Sequence, residues 1–264
     1  MRKRFTISLM VLAAVVTFSF WTLGQTGDRS RAAKAETSAP VDPHDLSGTW
    51  VYAERQGGGV RAHGAFSPDV PPMTAWAQAR FDAAKPGYGP RAAPGGNDPI
   101  GKCDPNGLPR LLLQAAPTEF IQLPGRVVIF YEWSHMWRTI WTDMRQLPQD
   151  PDPTWYGYSV GKWDGDTLVV DTIGFNDKTW VDFFGHPHSD EMHFAERYRR
   201  VDHDTMQLTM SIDDPKAYTK PWASDTKIYK LNPKAEFRES MCVASEEESF
   251  TKRIRDRAAG KSSQ

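Results

Sequence analysis

Residues 157–175 read GYSVGKWDGDTLVVDTIGF, and this stretch decides the fold class. Asp164-Gly165-Asp166 separates two runs of strand-forming residues. Asp-Gly between two such runs is one of the strongest local signals for a β-hairpin. We therefore predict a hairpin with strands at 157–163 and 167–175.

The same pattern continues on both sides of this hairpin. Asp202-His203-Asp204 joins two further runs at 192–201 and 205–212, and in the second run the apolar residues alternate with polar ones. Such alternation indicates a strand with one face turned towards a core. Further strands are predicted at 46–52, 120–123, 127–133, 137–143, 226–231 and 235–243.

These ten predicted strands leave room for one short helix at 73–84, which Thr74 can cap. Few strand–helix–strand units can be drawn, so a parallel sheet is not expected. Short strands at regular spacing predict a mainly β protein, built as an antiparallel barrel or a strongly curved sheet. A long Pro/Gly-rich loop at 85–109 interrupts the series.

The chain of 264 residues divides by composition into four parts. We predict a signal peptide, or an N-terminal anchor, at 1–35 and a linker at 36–45. A single β-barrel-like domain follows at 46–245 and includes the loop at 85–109. Residues 246–264 form a charged tail that is expected to fray.

The N-terminus predicts export. Met1-Arg2-Lys3-Arg4 precedes an apolar run, and Ala33-Lys34-Ala35 has the small residues of a signal-peptidase site. We expect a periplasmic or extracellular protein, attached to a membrane only if the N-terminal segment is retained. In an oxidising compartment the two cysteines, Cys103 and Cys242, are expected to form a disulfide; two buried free thiols are the alternative.

Charge and motifs exclude several classes of function. The net charge is −1, and the chain is mildly acidic once its basic N-terminus is set aside, which argues against nucleic acid as a partner. The sequence has no phosphate-binding P-loop and no dinucleotide-binding glycine motif. Its GxSxG match, Gly157-Tyr158-Ser159-Val160-Gly161, lies within a predicted strand and not at a strand-to-helix elbow. The expected partner is a small-molecule ligand or substrate.

Two sets of motifs carry a resemblance to known families. Ser47-Gly48-Thr49-Trp50 and the hairpin around Asp164-Gly165-Asp166 resemble parts of lipocalin-like (calycin-type) barrels. Residues 154–161, 174–180, 185–189 and 212–222 resemble an uncharacterised family of exported bacterial proteins. The resemblance implies an exported, single, lipocalin-like β-barrel body, and it implies no reaction, cofactor or catalytic residue.

Three histidines are candidates for a site. His186 and His188 lie two residues apart, so on an extended chain they face the same side, and His135 follows a predicted strand that could converge on them. Three imidazoles around one ion would form an open site for a divalent metal. The alternative is that Pro187 fixes a surface loop and that no metal or other cofactor is needed.

A site without a metal uses the same segment. His186 or His188 would carry a proton, Asp177 would orient it, and Arg138 would anchor a polar substrate, with Glu196 close by. Such a set predicts a lyase, an isomerase or a hydrolase. Glu196 could equally belong to a solvated strand face of alternating charges.

A second interpretation is a non-catalytic binding protein for an apolar or glycosidic ligand. Its cavity would be rich in tryptophan, although core packing is the more common role of such rings. The enzyme interpretation requires at least two of the three histidines at one concave pocket. The binding interpretation requires tryptophans around a deep cavity, here Trp133, Trp155, Trp180 and Trp222.

Overall fold

A computed structural model describes residues 41–53, 64–87, 89–93, 95–258 and 260. The predicted signal peptide and part of the predicted linker lie outside these residues. Within the described part, ten strands follow one another: β1 Gly48–Ala53, β2 Pro117–Leu123, β3 Arg126–Tyr131, β4 Met136–Trp141, β5 Tyr158–Asp164, β6 Thr167–Ile173, β7 His193–Arg200, β8 Thr205–Asp213, β9 Trp222–Ala223 and β10 Lys227–Leu231.

Nine of these strands close into a barrel. Neighbours in sequence pair from β1 to β8, and β10 pairs with both β8 and β1, which closes the ring. The pairs are antiparallel except β4 and β5, which run parallel where Ile140 lies opposite Ser159. This confirms a mainly β, mainly antiparallel barrel, and its form is compatible with a calycin-like barrel.

The strand predicted at 235–243 is wrong. Strand β10 is already hydrogen-bonded on both sides, so no edge of the barrel is left for a further strand beside it. Residues 235–243 have no regular structure, and the short β9 pairs with β8 instead.

Helix α1 spans Ala75–Ala83 and confirms the predicted helix within two residues at each end. Thr74 caps it: its hydroxyl accepts from the Ala77 amide and donates to the carbonyl oxygen of Lys216 at 2.7 Å. The cap therefore ties the start of α1 to the segment that follows β8.

The C-terminal segment departs from the predicted frayed tail. Helix α2 spans Ala244–Phe250, and a π-helical turn at Thr251–Arg255 continues it. Glu246 and Glu247 in the first turn of α2 suit the positive end of the helix dipole. The chain enters this helix directly after Cys242, which is bonded to Cys103 as predicted.

The long loop forms an ordered cover with two 3-10 turns, at Pro99–Lys102 and Arg110–Leu113. The side chains of the second turn are buried in the core, so the loop is packed down onto the barrel. No helix in the described part of the chain has the length and apolar character needed to cross a membrane.

Candidate functional site

A row of polar side chains crosses the buried face of four neighbouring strands. Arg138 on β4 makes two hydrogen bonds to Glu196 on β7, at 3.0 and 2.7 Å, and one to Ser159 on β5 at 3.0 Å. The Ser159 hydroxyl lies 3.0 Å from that of Thr172 on β6. The Tyr198 hydroxyl donates to Glu196 at 2.6 Å, and burial raises the pKa of Tyr198 well above its usual value.

Two predicted site residues, Arg138 and Glu196, belong to this row and have a structural role in it. The Arg138 side chain is 3% exposed and that of Glu196 is fully buried. A guanidinium already held by a carboxylate within the protein core does not anchor an external substrate. Our assignment of Arg138 as a substrate anchor is therefore corrected to a structural ion pair, and the solvated strand face considered for Glu196 is wrong as well.

The predicted histidine pair lies in the segment between β6 and β7. Trp180 and Pro187 form an isolated β-bridge, and the Val181 amide donates to the carbonyl of His186 at 2.8 Å. These contacts fold residues 180–187 into a tight loop. His186 and His188 therefore stand on either side of Pro187, in two different environments.

His186 is paired with Asp182. Its Nδ1 lies 2.7 Å from Oδ2 of this buried carboxylate. The imidazole stacks on Phe81 of α1 at 4.6 Å and meets the edge of Trp222 at 5.2 Å. The orienting carboxylate is thus Asp182, and not Asp177 as predicted.

His188 is buried and is bonded through both ring nitrogens. Its Nδ1 lies 3.1 Å from the carbonyl oxygen of Ser189, and its Nε2 lies 2.7 Å from the Thr179 hydroxyl. A carbonyl oxygen accepts and does not donate, so Nδ1 carries the proton. In the neutral ring Nε2 then accepts the hydrogen bond from Thr179. Burial lowers the pKa of His188, which favours this neutral form.

A second buried carboxylate holds this arrangement in place. Asp214 accepts hydrogen bonds from the Ser189 amide at 2.6 Å and the Ser189 hydroxyl at 2.7 Å. The Tyr218 hydroxyl donates to the carbonyl of Pro187, also at 2.6 Å. Both residues that flank His188 are therefore fixed by the segment that follows β8.

Thr179 and His188 line a cavity of about 210 Å³. Asp177 and Lys178 come from the same segment, and Arg80 at the end of α1 lies across from them. The remaining lining residues are Ala83, Ala84, Asn97, Trp180 and Pro187. Asp177 acts on the His188 ring electrostatically and favours its charged form.

A glycine of the covering loop allows the loop to lie on Thr179. Gly107 has a φ of +70°, and a Cβ at this position would come within 2.4 Å of the Thr179 hydroxyl oxygen. Both the backbone conformation and the contact disfavour a larger residue here, because the Thr179 side chain would have to shift. The loop is thus closely packed against the hydrogen-bonded pair of Thr179 and His188.

His135 does not join the other two histidines at a cavity. Its Nε2 lies 3.0 Å from the carbonyl of Arg238, and its ring is exposed. Among the described residues, no three His, Cys, Asp or Glu side chains are grouped so that they could hold a metal ion. The predicted site formed by His135, His186 and His188 together is therefore not present in this part of the chain.

The four predicted ligand-binding tryptophans do not surround one cavity. Trp180 lines the cavity beside Thr179, whereas Trp222 is buried against Phe66 and Tyr218. Trp133 is 38% exposed, and Trp155 lies beside Lys178 at 5.7 Å. Of the three histidines, His188 alone lines a cavity described here. The enzyme interpretation required two of the three histidines at one pocket, and the binding interpretation required the tryptophans around one deep cavity. The described residues meet neither requirement.

Sequence reasoning missed Thr179, Asp182 and Asp214. Thr179 lies nine residues before His188, a spacing that matches no known motif. The β-bridge between Trp180 and Pro187 brings the two side chains together, and this bridge cannot be seen in the sequence. Asp214 lies within residues 212–222, where the sequence showed only a family resemblance. The spacing of His186 and His188 was the local signal that pointed to the neighbouring segment.

No protein-family model, curated protein or solved structure matches this chain.

Proposed function

We propose that this protein is a hydrolase for a small acyl compound, an ester or an amide, with Thr179 as nucleophile and His188 as general base. The observation that carries the proposal is the 2.7 Å contact between the Thr179 hydroxyl and Nε2 of His188 at the wall of a cavity. A hydroxyl bonded to a base that a third group orients is the arrangement that activates a nucleophile. Here the third group is the carbonyl of Ser189.

The proposed reaction has two steps. The Thr179 oxygen attacks the carbonyl carbon and forms a new C–O bond, while its proton passes to Nε2 of His188. The bond to the leaving group then breaks, and the leaving group takes that proton from His188. Water then attacks the acyl carbon and gives a proton to Nε2 of His188. The bond from that carbon to the Thr179 oxygen breaks, this oxygen takes the proton back from His188, and the acid leaves.

The charge and size of the cavity support a small polar substrate. Among the residues that line it, Arg80 and Lys178 are positive and Asp177 is negative, so the net charge of the lining is positive and supports binding of an oxyanion or a carboxylate. A volume of about 210 Å³ is smaller than a typical site for a drug-sized ligand. The substrate is therefore a small polar molecule.

The test uses p-nitrophenyl acetate as a small activated ester. Thr179→Val removes the hydroxyl but keeps the shape of the side chain, and it should lower the hydrolysis rate by about a hundredfold or more. Thr172→Val is the matched control, because Thr172 is also buried and hydrogen-bonded, but lies in the barrel. The control should hydrolyse at the wild-type rate. Wild-type activity in Thr179→Val would overturn the proposal.

We also propose that the protein is exported and belongs to the uncharacterised family of exported bacterial proteins that its motifs resemble. The N-terminal pattern of charge and apolar residues supports export. The disulfide between Cys103 and Cys242 supports an oxidising compartment, the periplasm or the cell exterior. Mass analysis of the mature protein from its native host tests this proposal: loss of about 35 residues is expected, and an intact N-terminus in the cytoplasm would contradict it.

A further inference from the structure

Three charged side chains line the Thr179 cavity but take no part in the proposed proton transfer, namely Arg80, Asp177 and Lys178. Within the described part of the chain, none of the three forms an ion pair. Two of them are cations and one is an anion, so the net charge of the three is positive. A ligand with one negative charge would balance it.

Arg80 is held in position by Trp76, which lies one turn earlier on α1. The guanidinium carbon lies 3.7 Å from the centroid of the indole ring. Residues four apart share one face of a helix, and arginine stacks on aromatic rings through its flat face. Because stacking uses only that face, the N–H groups at the edge of the guanidinium can still donate to an acceptor.

The other cation at Trp76 already has a carboxylate. The amine of Lys216 lies 5.4 Å from the Trp76 ring and 2.8 Å from Oδ1 of Asp190. Arg80 has no carboxylate partner among the described residues, and its guanidinium is charged at any physiological pH. An exposed arginine without a partner is common, but this one is stacked in place and lines the same small cavity as the Thr179 hydroxyl.

The second cation of the wall, Lys178, is less suited to bind a carboxylate. Its amine lies 5.7 Å from the ring of Trp155, which is not among the lining residues. An ammonium group is a point charge on a flexible stem, whereas a guanidinium binds a carboxylate through two parallel hydrogen bonds. Arg80 is therefore the better candidate for such a contact.

We propose that the substrate of the Thr179 site carries a carboxylate group, which Arg80 binds while the ester or amide carbonyl lies at Thr179. This inference rests on the proposed hydrolase function and makes Arg80 a determinant of specificity. A cavity of about 210 Å³ has room for only a small group beside the acyl carbon. The carboxylate therefore lies a few bonds from the bond that breaks.

The first experiment measures equilibrium binding of benzoate to the mature chain by isothermal titration calorimetry, so that no reaction is needed. Arg80→Gln removes the positive charge and should weaken binding by about tenfold or more. Arg199→Gln, at an exposed position on β7, is the matched control and should bind as the wild type does. Absence of benzoate binding by the wild type, or wild-type affinity in Arg80→Gln, would overturn the inference.

The second experiment compares two esters that differ in charge. p-Acetoxybenzoate carries a carboxylate, and methyl p-acetoxybenzoate does not. In Arg80→Gln the KM for the charged ester, divided by the KM for the neutral ester, should rise about tenfold over the wild-type ratio, because the lost contact already forms in the bound ground state. An unchanged ratio would show that Arg80 does not recognise the carboxylate.

The two experiments separate this inference from the proposed function. If the wild type binds benzoate through Arg80 but hydrolyses neither ester, the hydrolase proposal is wrong and the carboxylate site at Arg80 stands. If Thr179 is needed for hydrolysis of both esters but the KM ratio is the same in Arg80→Gln, the hydrolase proposal stands and this inference is wrong.

Discussion

At the scale of single residues, the state of His188 depends on its two hydrogen bonds and its burial. The Ser189 carbonyl fixes the proton on Nδ1, which leaves Nε2 free to accept a proton from Thr179. Burial lowers the pKa of the ring, whereas the carbonyl of Ser189 and the charges of Asp214 and Asp177 raise it by smaller amounts. The proposed base is therefore neutral and available at neutral pH.

This state of His188 predicts the pH dependence of hydrolysis. The rate should fall on the acid side as His188 becomes protonated, with a midpoint below the usual value of about 6.5. A pH profile of p-nitrophenyl acetate hydrolysis measures this midpoint. A midpoint above 6.5 would mean that a different group acts as the base.

The same shift predicts how stability depends on pH. His188 binds a proton less readily in the folded chain than in the unfolded chain, so the unfolded state takes up more protons as the pH falls. The contribution of His188 to the free energy of unfolding is fully present above pH 6.5. It is lost as the pH falls from 6.5 towards the lowered pKa of the folded state. Denaturant unfolding of the wild type and His188→Gln across this window should show a smaller loss in the variant. An equal loss would contradict the assignment.

Arg138 and Glu196 permit a test of the buried ion pair. Glu196→Gln keeps the shape of the side chain but leaves the Arg138 charge unpaired. The free energy of unfolding should therefore fall by about 3–5 kcal/mol. Asp164→Asn removes the partner of Arg197 in an exposed pair and should cost less than about 1 kcal/mol. Denaturant titration compares the two variants. Equal effects would show that burial of the pair is unimportant.

Residue patterns predicted part of the site and could not predict the rest. The spacing of His186 and His188 pointed to the segment in which the Thr179–His188 contact lies, because spacing is a local property of the sequence. The partners of these residues, Asp182 and Thr179, depend on how the loop folds back at Pro187. Arg138 was misassigned because its partner Glu196 is 58 residues away in the sequence.

At the scale of elements, the covering loop controls the surroundings of Thr179. Gly107 lies directly on the Thr179 side chain, with a backbone conformation that favours glycine. A comparison of Gly107 with Gly165 separates the effect of this contact from the effect of the positive φ, because both glycines have a positive φ. Gly165 has a φ of +54°, yet a Cβ there would meet nothing within 4 Å.

We therefore predict different outcomes for Gly107→Ala and Gly165→Ala. Both should lose about 1 kcal/mol of stability through the backbone, but Gly107→Ala should also displace Thr179 and abolish most of the p-nitrophenyl acetate hydrolysis. Activity assays at a temperature where both variants are folded make the comparison. If Gly107→Ala retains the activity of Gly165→Ala, the loop does not position Thr179.

The strands show which elements sequence patterns can predict. Hairpins such as β5–β6 and β7–β8 were predicted because a tight turn and alternating residues are local signals. The parallel contact between β4 and β5 and the closure of β10 on β1 and β8 were not predicted. These pairings depend on long-range geometry, which also explains why no strand forms at 235–243.

At the scale of the whole described body, the barrel is a frame and the connecting segments hold the proposed chemistry. The inner polar row is satisfied largely by its own members, with Arg138 held by Glu196 and Ser159. The Thr179 cavity is lined instead by α1, the long loop and the segment between β6 and β7. The segment after β8 fixes the two neighbours of the proposed base His188, with Asp214 bonded to Ser189 and Tyr218 bonded to Pro187.

The most direct test of the account is covalent labelling of the mature chain with a fluorophosphonate probe, followed by mass spectrometry of its peptides. The probe reacts with activated hydroxyl groups, so we predict one adduct on Thr179 that is absent from His188→Gln. An adduct on a different residue, or labelling of Thr179 that persists without His188, would contradict the claim that these two side chains form the reactive centre.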